Sequence, residues 1–402
     1  MHVIERYALS TGAKIDKPEV WQDYFPLPFE KFVVFAPEGK EHKRYLFWQE
    51  VLNLLMPIFE SKNIKVIQVG SNQKTIPYSG VMSICGQTTL NTLSFVLDKS
   101  LLYLGVDSFL TQIASSLDKK VVAVYSHVNI QNRKPFWGKA ENQILIEPSR
   151  EKGHKPSFGM PEKMDYLNKI GPEQIAAAVC KALKLEFTYP YKTIYTGDNY
   201  GTISVDVEPR RGTTLEDYEI TAKVSSISIR MDWNHDEKGL LEILNQINAK
   251  CTIVTSKQIP LNMLKSYSGK IESVTFIYDG NNINQITEQY VKSLDIFDIK
   301  FALVSHEEDE KVNNQLKLKC MDFSFLNIEP HSKKPKHIEE RKGQKLYFKS
   351  NKRILANRKI YNCYYNYLND IPQDVFGRVA HSEVIDHPDF WREVESYNIL
   401  EK

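Results

Sequence analysis

The stretch Leu101-Leu-Tyr-Leu-Gly-Val-Asp-Ser-Phe-Leu-Thr-Gln-Ile-Ala-Ser-Ser-Leu117 decides the fold. Leu101 to Leu104 form a short, continuous apolar run, which is typical of a strand covered on both faces of a sheet. Gly105 breaks the run, and Asp107 or Ser108 can then cap a helix with apolar residues at helical spacing. The N–H groups at such a helix start favour anions beside the carboxyl ends of parallel strands. The stretch therefore predicts a site for a nucleotide or sugar phosphate.

Strand and helix patterns alternate on both sides of this stretch. Four further apolar, β-branched runs predict strands: Lys31–Ala36, Ile64–Gly70, Val121–Tyr125 and Gln143–Glu147. Helical patterns separate most of these runs, so we expect a doubly wound parallel sheet with its loops along one edge. A helix beginning at Gly171 closes this Rossmann-like domain, which we place at residues 1–185.

The rest of the chain divides into four segments. Turn signals and short β-like runs predict a linker at residues 186–222, and a second alternating series predicts another α/β domain at 223–330. Residues 331–353 are strongly basic and form either a solvated linker or a patch for an anionic glycan, lipid head group or nucleic acid. The aromatic-rich residues 354–402 are expected to pack as a helical tail.

Composition excludes several classes of protein. The chain has 402 residues and a net charge of +2, so global charge does not predict a nucleic-acid partner. Its five cysteines are far apart, which indicates neither a disulfide framework nor a metal site. Neither a leader nor an apolar run long enough for a transmembrane segment is found, so we expect a cytoplasmic protein. No motif indicates a metal or a cofactor.

A longer series of motifs resembles one known family. The order is Cys85-Gly-Gln-Thr-Thr-Leu90, a helix, Gly105-Val-Asp-Ser108, a second helix, Lys119-Lys-Val-Val-Ala-Val-Tyr125 and Pro135-Phe-Trp-Gly138. It resembles the nucleotide-binding half of the lipopolysaccharide heptosyltransferases (ADP-heptose transferases of glycosyltransferase family 9), over about residues 1–185. This resemblance implies a metal-independent, inverting GT-B glycosyltransferase that moves a sugar from a nucleotide diphosphate sugar to a glycan or lipid-linked acceptor.

The acceptor half is out of its usual place. In the family, a segment like His2–Gly12 stands just before the second domain, whereas here it opens the sequence. The second α/β domain is a candidate acceptor half in a permuted order, or a partner chain supplies one. The alternative is a non-catalytic binding or scaffold protein derived from the GT-B fold.

The resemblance also implies residues that bind the donor. Ser108 and the following N–H groups would hold the diphosphate while Asp107 orders the loop. Lys40, with Gly39 beside it, would neutralise the leaving diphosphate, and Lys43 and Arg44 are near alternatives. The remaining donor candidates are Thr88 and Thr89, which can also be simple helix caps, together with Gln112 and His127.

The resemblance leaves two questions unanswered: the positive charge at the diphosphate and the identity of the catalytic base. Gln112 stands where the family has a histidine, so it can donate to a phosphate oxygen but adds no positive charge. A catalytic base cannot be carried over from the family because its acceptor domain has no counterpart upstream. Asp232, His235 and Asp236 follow the first strand of the second α/β domain and are our base candidates.

Overall fold

The computed structural model describes most of the chain. The described residues are 1–39, 44–73, 75, 77–126, 128–150, 155–156, 164–196, 203–215, 224–319, 323–327, 334–341, 343–373, 381–394 and 396–402. Two compact units are present: Met1–Gly201 with Ile399–Lys402, and Thr202–Asn398. Among the described residues, no helix is both long enough and apolar enough to cross a membrane.

The first unit contains the parallel sheet that the sequence predicts. Its strands are β1 (Phe32–Ala36), β2 (Lys65–Gln68), β3 (Met82–Ser83), β4 (Leu102–Val106), β5 (Lys120–Val124) and β6 (Gln143–Ile146). They pair in parallel in the order β3-β2-β1-β4-β5-β6, which is the strand order of dinucleotide-binding Rossmann folds. The α/β prediction is therefore confirmed for this unit.

Helices cover both faces of this sheet. Helices α2 (Trp48–Ser61) and α7 (Pro172–Leu183) lie on one face, and α3 (Leu90–Lys99) and α4 (Phe109–Ser116) lie on the other. The unit also contains α1 (Val3–Thr11), α5 (Ile130–Arg133) and α6 (Met164–Leu167). Alternate residues of β1 enter two different cores: Val33 and Phe35 pack with α2 and α7, whereas Phe32 and Val34 pack with α3 and α4. All five residues of β1 are buried, which explains why this strand is a continuous apolar run. A further strand, β7 (Lys192–Thr196), follows α7.

The strand order reverses between β1 and β4, and the two strands are in close contact there. A Cβ atom on Gly105 would overlap the carbonyl oxygen of Ala36 and would lie 2.8 Å from the Tyr103 hydroxyl. Glycine is therefore required for this close approach. In open α/β sheets, ligands bind in the crevice at such a reversal, outside the carboxyl ends of the strands.

The second unit is a mostly parallel sheet. Its strands are β8 (Ile203–Val207), β9 (Val224–Arg230), β10 (Cys251–Thr255), β11 (Ile271–Tyr278), β12 (Lys300–Ser305), β13 (Ser324–Asn327), β15 (Lys352–Ala356) and β16 (Lys359–Tyr361). The order is β13-β12-β11-β10-β9-β8-β15-β16, and only the β15–β16 pair among these described strands is antiparallel. A second α/β unit is thus present, as the sequence predicts.

The strand order of the second unit determines on which face of its sheet the helices lie. Strands β8 to β13 lie side by side in chain order, so right-handed crossovers place the connecting helices on one face of the sheet. These helices are α8 (Glu237–Gln246), α9 (Leu261–Ser266), α10 (Glu288–Ile296) and α11 (Glu310–Lys319). Their apolar residues form one core with alternate residues of the strands, including Ile229 and Ile253.

Later segments differ from the sequence-based expectation. The stretch 186–222, interpreted as a linker, contains β7 and β8. The basic stretch contains α12 (Lys336–Glu339), β14 (Leu346–Ser350) and the start of β15, with Lys349 and Lys352 only 6% and 8% exposed, so its described part is not a solvated linker.

The tail is not helical throughout. It contains α13 (Tyr364–Leu368) and α14 (Pro388–Trp391), but also β16, β17 (Ser382–Glu383) and β18 (Tyr397–Glu401). Strand β17 pairs with β14, and β15 pairs with β8. These partners are distant in sequence, so local periodicity did not reveal them.

Candidate functional site

Ser108 stands at the carboxyl end of β4, at the reversal of strand order. It is the N-cap of α4, and its Oγ accepts a hydrogen bond from the Leu110 N–H at 3.2 Å. The Tyr103 hydroxyl lies 3.2 Å from the same Oγ and donates to the Val106 carbonyl at 3.0 Å. Burial raises the pKa of Tyr103, which keeps this phenol protonated as a donor. The cap thus fixes the start of α4 at the crevice, as a phosphate site requires.

Asp107 precedes the cap and is almost fully buried, with 7% of its surface exposed. Its backbone N–H donates to the Val124 carbonyl at 3.0 Å, which extends the pairing of β4 with β5 beyond the strand ends. The role of the Asp107 side chain in ordering the loop stays a prediction.

The loop after β1 is only partly described. Gly39 is exposed, three residues after β1, whereas Lys40 and Lys43 lie outside the described residues. Arg44 is described and exposed. Glu38 accepts a hydrogen bond from the Thr75 hydroxyl, so this loop also brings a carboxylate to the edge of the sheet.

Thr89 has the geometry of a helix cap. Its Oγ1 accepts from the Thr92 N–H at 3.2 Å, and its own N–H donates to the Thr92 hydroxyl at 2.8 Å. This reciprocal pair satisfies two N–H groups at the start of α3. Thr88 beside it is half-buried. Both threonines stay predictions as donor contacts.

Gln112 is engaged by a loop. Its Nε2 donates to the Arg133 and Lys134 carbonyls at 3.2 and 3.3 Å, and its Oε1 accepts from the Phe136 N–H at 3.1 Å. The imidazole Nε2 of His2 lies 2.8 Å from the same Lys134 carbonyl. Gln112 therefore holds the 133–136 loop against α4, a role that the sequence did not indicate.

Arg150 is a residue of the sheet edge that sequence reasoning missed. Its Nη2 donates to the carbonyl of Ser126, which follows β5, and its guanidinium lies 5.8 Å from the centre of the Tyr166 ring. His127, the predicted contact of this loop, lies outside the described residues. In the sequence, the feature that could have identified Arg150 is its position, four residues after the end of β6.

Asp232 is not positioned like a base that awaits a substrate. Its carboxylate accepts two hydrogen bonds from Arg230, Nε to Oδ1 at 2.9 Å and Nη2 to Oδ2 at 2.8 Å. Asp206 and Glu393 also bind Arg230, through Nη1 at 3.1 and 2.7 Å. Lys352 then joins the network from β15, 2.7 Å from Asp206 and 3.1 Å from Glu393.

The other two base candidates lie in the same loop but have different surroundings. Asp236 caps α8, accepting from the Lys238 and Gly239 N–H groups at 3.1 Å, and also accepts from Arg211 N–H at 3.1 Å. Burial and the nearby Lys257 lower the pKa of His235. The structure thus gives both carboxylates of the predicted set, Asp232 and Asp236, structural partners.

The comparisons with known proteins apply to the first unit. Residues 10–166 match the model of one protein family. That family is described as "Glycosyltransferase family 9 (heptosyltransferase)". The resemblance to the heptosyltransferase family is thereby confirmed for this segment, which includes Ser108. A search of the curated proteins finds no match to the chain.

Several solved structures of family 9 glycosyltransferases are similar to part of this chain. E. coli ADP-heptose lipopolysaccharide heptosyltransferase II is 15% identical, with 39% of this chain and 48% of that chain covered and a TM-score of 0.31. The family 9 glycosyltransferase of Veillonella parvula is 16% identical, with 45% and 50% covered and a TM-score of 0.29. E. coli heptosyltransferase WaaC with ADP is 16% identical, with 45% and 57% covered and a TM-score of 0.31. The match spans about half the length of each, and the fold assignment rests on the chain's own strand order.

Proposed function

We propose that the first unit binds a nucleotide diphosphate sugar and that the protein is a glycosyltransferase. The observation that carries this proposal is the position of Ser108. It caps α4 where the order of the parallel sheet reverses, inside the segment that matches glycosyltransferase family 9. Helix starts at such reversals bind phosphate groups in other α/β proteins.

The proposed reaction is an inverting sugar transfer that needs no metal. A hydroxyl of a glycan or lipid-linked acceptor attacks the anomeric carbon, and the bond from that carbon to the diphosphate oxygen breaks. The nucleoside diphosphate leaves, and the N–H groups at the start of α4 stabilise its charge. A carboxylate base takes the hydroxyl proton, and Asp232, His235 and Asp236 stay predictions for that role.

Further contacts belong to the same proposal. Gly39, Lys40, Thr88, Thr89, Asp107, Gln112 and His127 remain predicted donor residues. The acceptor half is either the second unit or a domain of a partner chain, and the reaction would take place in the cytoplasm.

A second candidate function is a non-catalytic binding or scaffold protein. It is favoured by Gln112, whose amide is engaged by three backbone groups of a loop. The ion pair of Asp232 and the capping role of Asp236 favour it too, because both carboxylates already accept hydrogen bonds from this chain.

An assay of nucleotide-sugar turnover distinguishes the glycosyltransferase from the non-catalytic protein. ADP-, GDP- and UDP-sugars are incubated with the protein, with and without glycan or lipid-linked acceptors, and release of the nucleoside diphosphate is followed by chromatography. A transferase releases the nucleoside diphosphate of one donor, faster with its acceptor than without. A protein that binds a donor saturably but releases nothing with any acceptor is the scaffold.

A further inference from the structure

The predicted donor residues that the structure describes include no cation: they are Gly39, Thr88, Thr89, Asp107, Ser108 and Gln112. Position 112 is a neutral glutamine whose amide holds a loop. Two carboxylates lie at the same edge, Asp107 directly after β4 and Glu38 after β1. Both phosphates of a nucleotide sugar carry negative charge, so the start of α4 attracts them while the two carboxylates repel them.

The register of the sheet places Arg150 at this edge. Val106 of β4 pairs with Val124 of β5, so Ser108 and Ser126, each two residues further on, follow neighbouring strand ends at the same level. Neighbouring strands lie about 4.8 Å apart. Arg150 follows β6 and donates a hydrogen bond to the Ser126 carbonyl, just after the end of the neighbouring strand β5. The residue whose carbonyl it binds thus follows the strand next to β4, which Ser108 follows.

The guanidinium is also held in place. The Ser126 carbonyl fixes one nitrogen, the Tyr166 ring lies 5.8 Å away, and the side chain is half-buried. A positioned arginine loses less side-chain freedom when it binds a ligand than a fully exposed one. Its planar fork of N–H donors matches two oxygens of a phosphate.

We propose that Arg150 binds the diphosphate of the donor nucleotide, supplying beside α4 the positive charge that Gln112 does not. The ligand class is a nucleoside diphosphate, either free or carrying a sugar. The start of α4 contacts the diphosphate from one side and Arg150 from the side of β5. This assignment rests on the proposed function of the first unit.

Calorimetry on three variants of the whole chain tests the assignment. Arg150→Gln keeps a donor for the Ser126 carbonyl but removes the charge, and Arg150→Lys keeps the charge but removes the fork. Lys120→Gln is the matched control, because it removes one charge at the amino end of the neighbouring strand β5. The probes are ADP, GDP and UDP, each compared with its nucleoside.

We expect Arg150→Gln to weaken binding of the nucleoside diphosphate about tenfold or more, and Arg150→Lys to weaken it by less. Lys120→Gln should bind like the wild type, and affinity for the nucleoside should not change in any variant. A folded Arg150→Gln protein that binds the diphosphate as tightly as the wild type overturns the assignment. If the wild type binds none of the three diphosphates, the proposed function fails and this assignment with it.

A second measurement uses the wild type alone and does not depend on how variants fold. Phenylglyoxal modifies accessible arginines, and mass spectrometry follows the rate at each one. A saturating nucleoside diphosphate should slow modification of Arg150 severalfold and leave the exposed Arg6 and Arg133 unchanged. Equal slowing at all three arginines, or none at Arg150, contradicts the assignment.

Discussion

The guanidinium of Arg230 holds the carboxylate of Asp232 by two hydrogen bonds, Nε to Oδ1 at 2.9 Å and Nη2 to Oδ2 at 2.8 Å. Such a two-point pair is stronger and more directional than a single charged hydrogen bond. The plane of Arg230 also lies 4.0 Å from the centre of the Trp233 ring, and Trp233 stacks on Tyr367 at 4.9 Å. Arg230 therefore connects the end of β9 to the aromatic residues of α13.

Removing this cation should destabilise the second unit strongly. Arg230 and Lys352 face three carboxylates, Asp206, Asp232 and Glu393, so the described network has one excess negative charge. Arg230→Gln leaves the buried Asp206 and the half-buried Asp232 and Glu393 against one lysine, and we expect a loss of about 3–5 kcal/mol in the free energy of unfolding. Urea denaturation measures it.

The control for this experiment is Lys238→Gln on the exposed side of α8, which should change the free energy by less than about 0.5 kcal/mol. Asp232→Asn should cost less than Arg230→Gln, because it reduces the excess negative charge. Equal and small losses in Arg230→Gln and Lys238→Gln would show that the network does not stabilise the fold.

The acid stability of the protein should depend on Glu393. Burial by itself raises the pKa of this carboxylate, but Lys352 and Arg230 outweigh burial and lower the pKa from 4.5 to about 2. The lowered pKa in the folded state means that Glu393 contributes stability above about pH 4.5, and that this contribution is lost as the pH falls towards 2.

Glu393→Gln has no such titration. We therefore expect the difference in unfolding free energy between wild type and Glu393→Gln to shrink as the pH falls from 4.5 to 2. Urea denaturation at several pH values measures this difference, in which the titration of other groups cancels. A difference that stays constant over this range would falsify the role of Glu393.

Adding a single methyl group at Gly105 should push β1 and β4 apart. In Gly105→Ala, the new Cβ overlaps the Ala36 carbonyl oxygen, so the strands at the reversal must move apart. We expect a loss of about 1–3 kcal/mol in thermal unfolding and weaker nucleotide binding. Gly269→Ala is the control, because no atom lies within 4 Å of its new Cβ. The account of this crevice is wrong if the two variants unfold alike.

Gln112 should matter for the loop more than for the nucleotide. Gln112→Ala removes the acceptor of the Phe136 N–H and two donors to the Arg133 and Lys134 carbonyls. We expect faster hydrogen exchange at the Phe136 amide and a loss of about 1 kcal/mol in stability, with a smaller loss of nucleotide affinity than in Ser108→Ala. Gln131→Ala, on exposed α5, serves as control. Weaker nucleotide binding with unchanged exchange at Phe136 would instead assign Gln112 to the phosphate.

The sequence predicted what depends on local patterns. The strand at Leu102 and the helix capped by Ser108 follow from apolar runs and capping residues within a short window. The parallel, doubly wound sheet was also predictable, because strands and helices alternate along the chain.

Contacts between distant residues were not accessible from a single sequence. Arg150 and Ser126 are 24 residues apart, and Asp206 and Lys352 meet only because β8 pairs with β15. The basic stretch was expected to be solvated or to bind an anionic partner. The ion pair of its Lys352 with Asp206 could not be predicted, because the two residues are far apart in sequence. The loop that Gln112 holds was not accessible for the same reason, because it lies over twenty residues further on.

The most direct test of the central claim is calorimetry of the whole chain with ADP-, GDP- and UDP-sugars. Ser108→Ala removes the cap at the crevice, and Thr287→Ala removes the cap of α10 in the second unit as a matched control. We predict that the wild type and Thr287→Ala bind sugars of one nucleotide equally and saturably, and that Ser108→Ala binds them about tenfold more weakly or not at all. A well-folded wild type that binds none of the three donors would contradict the claim that this unit holds a nucleotide sugar.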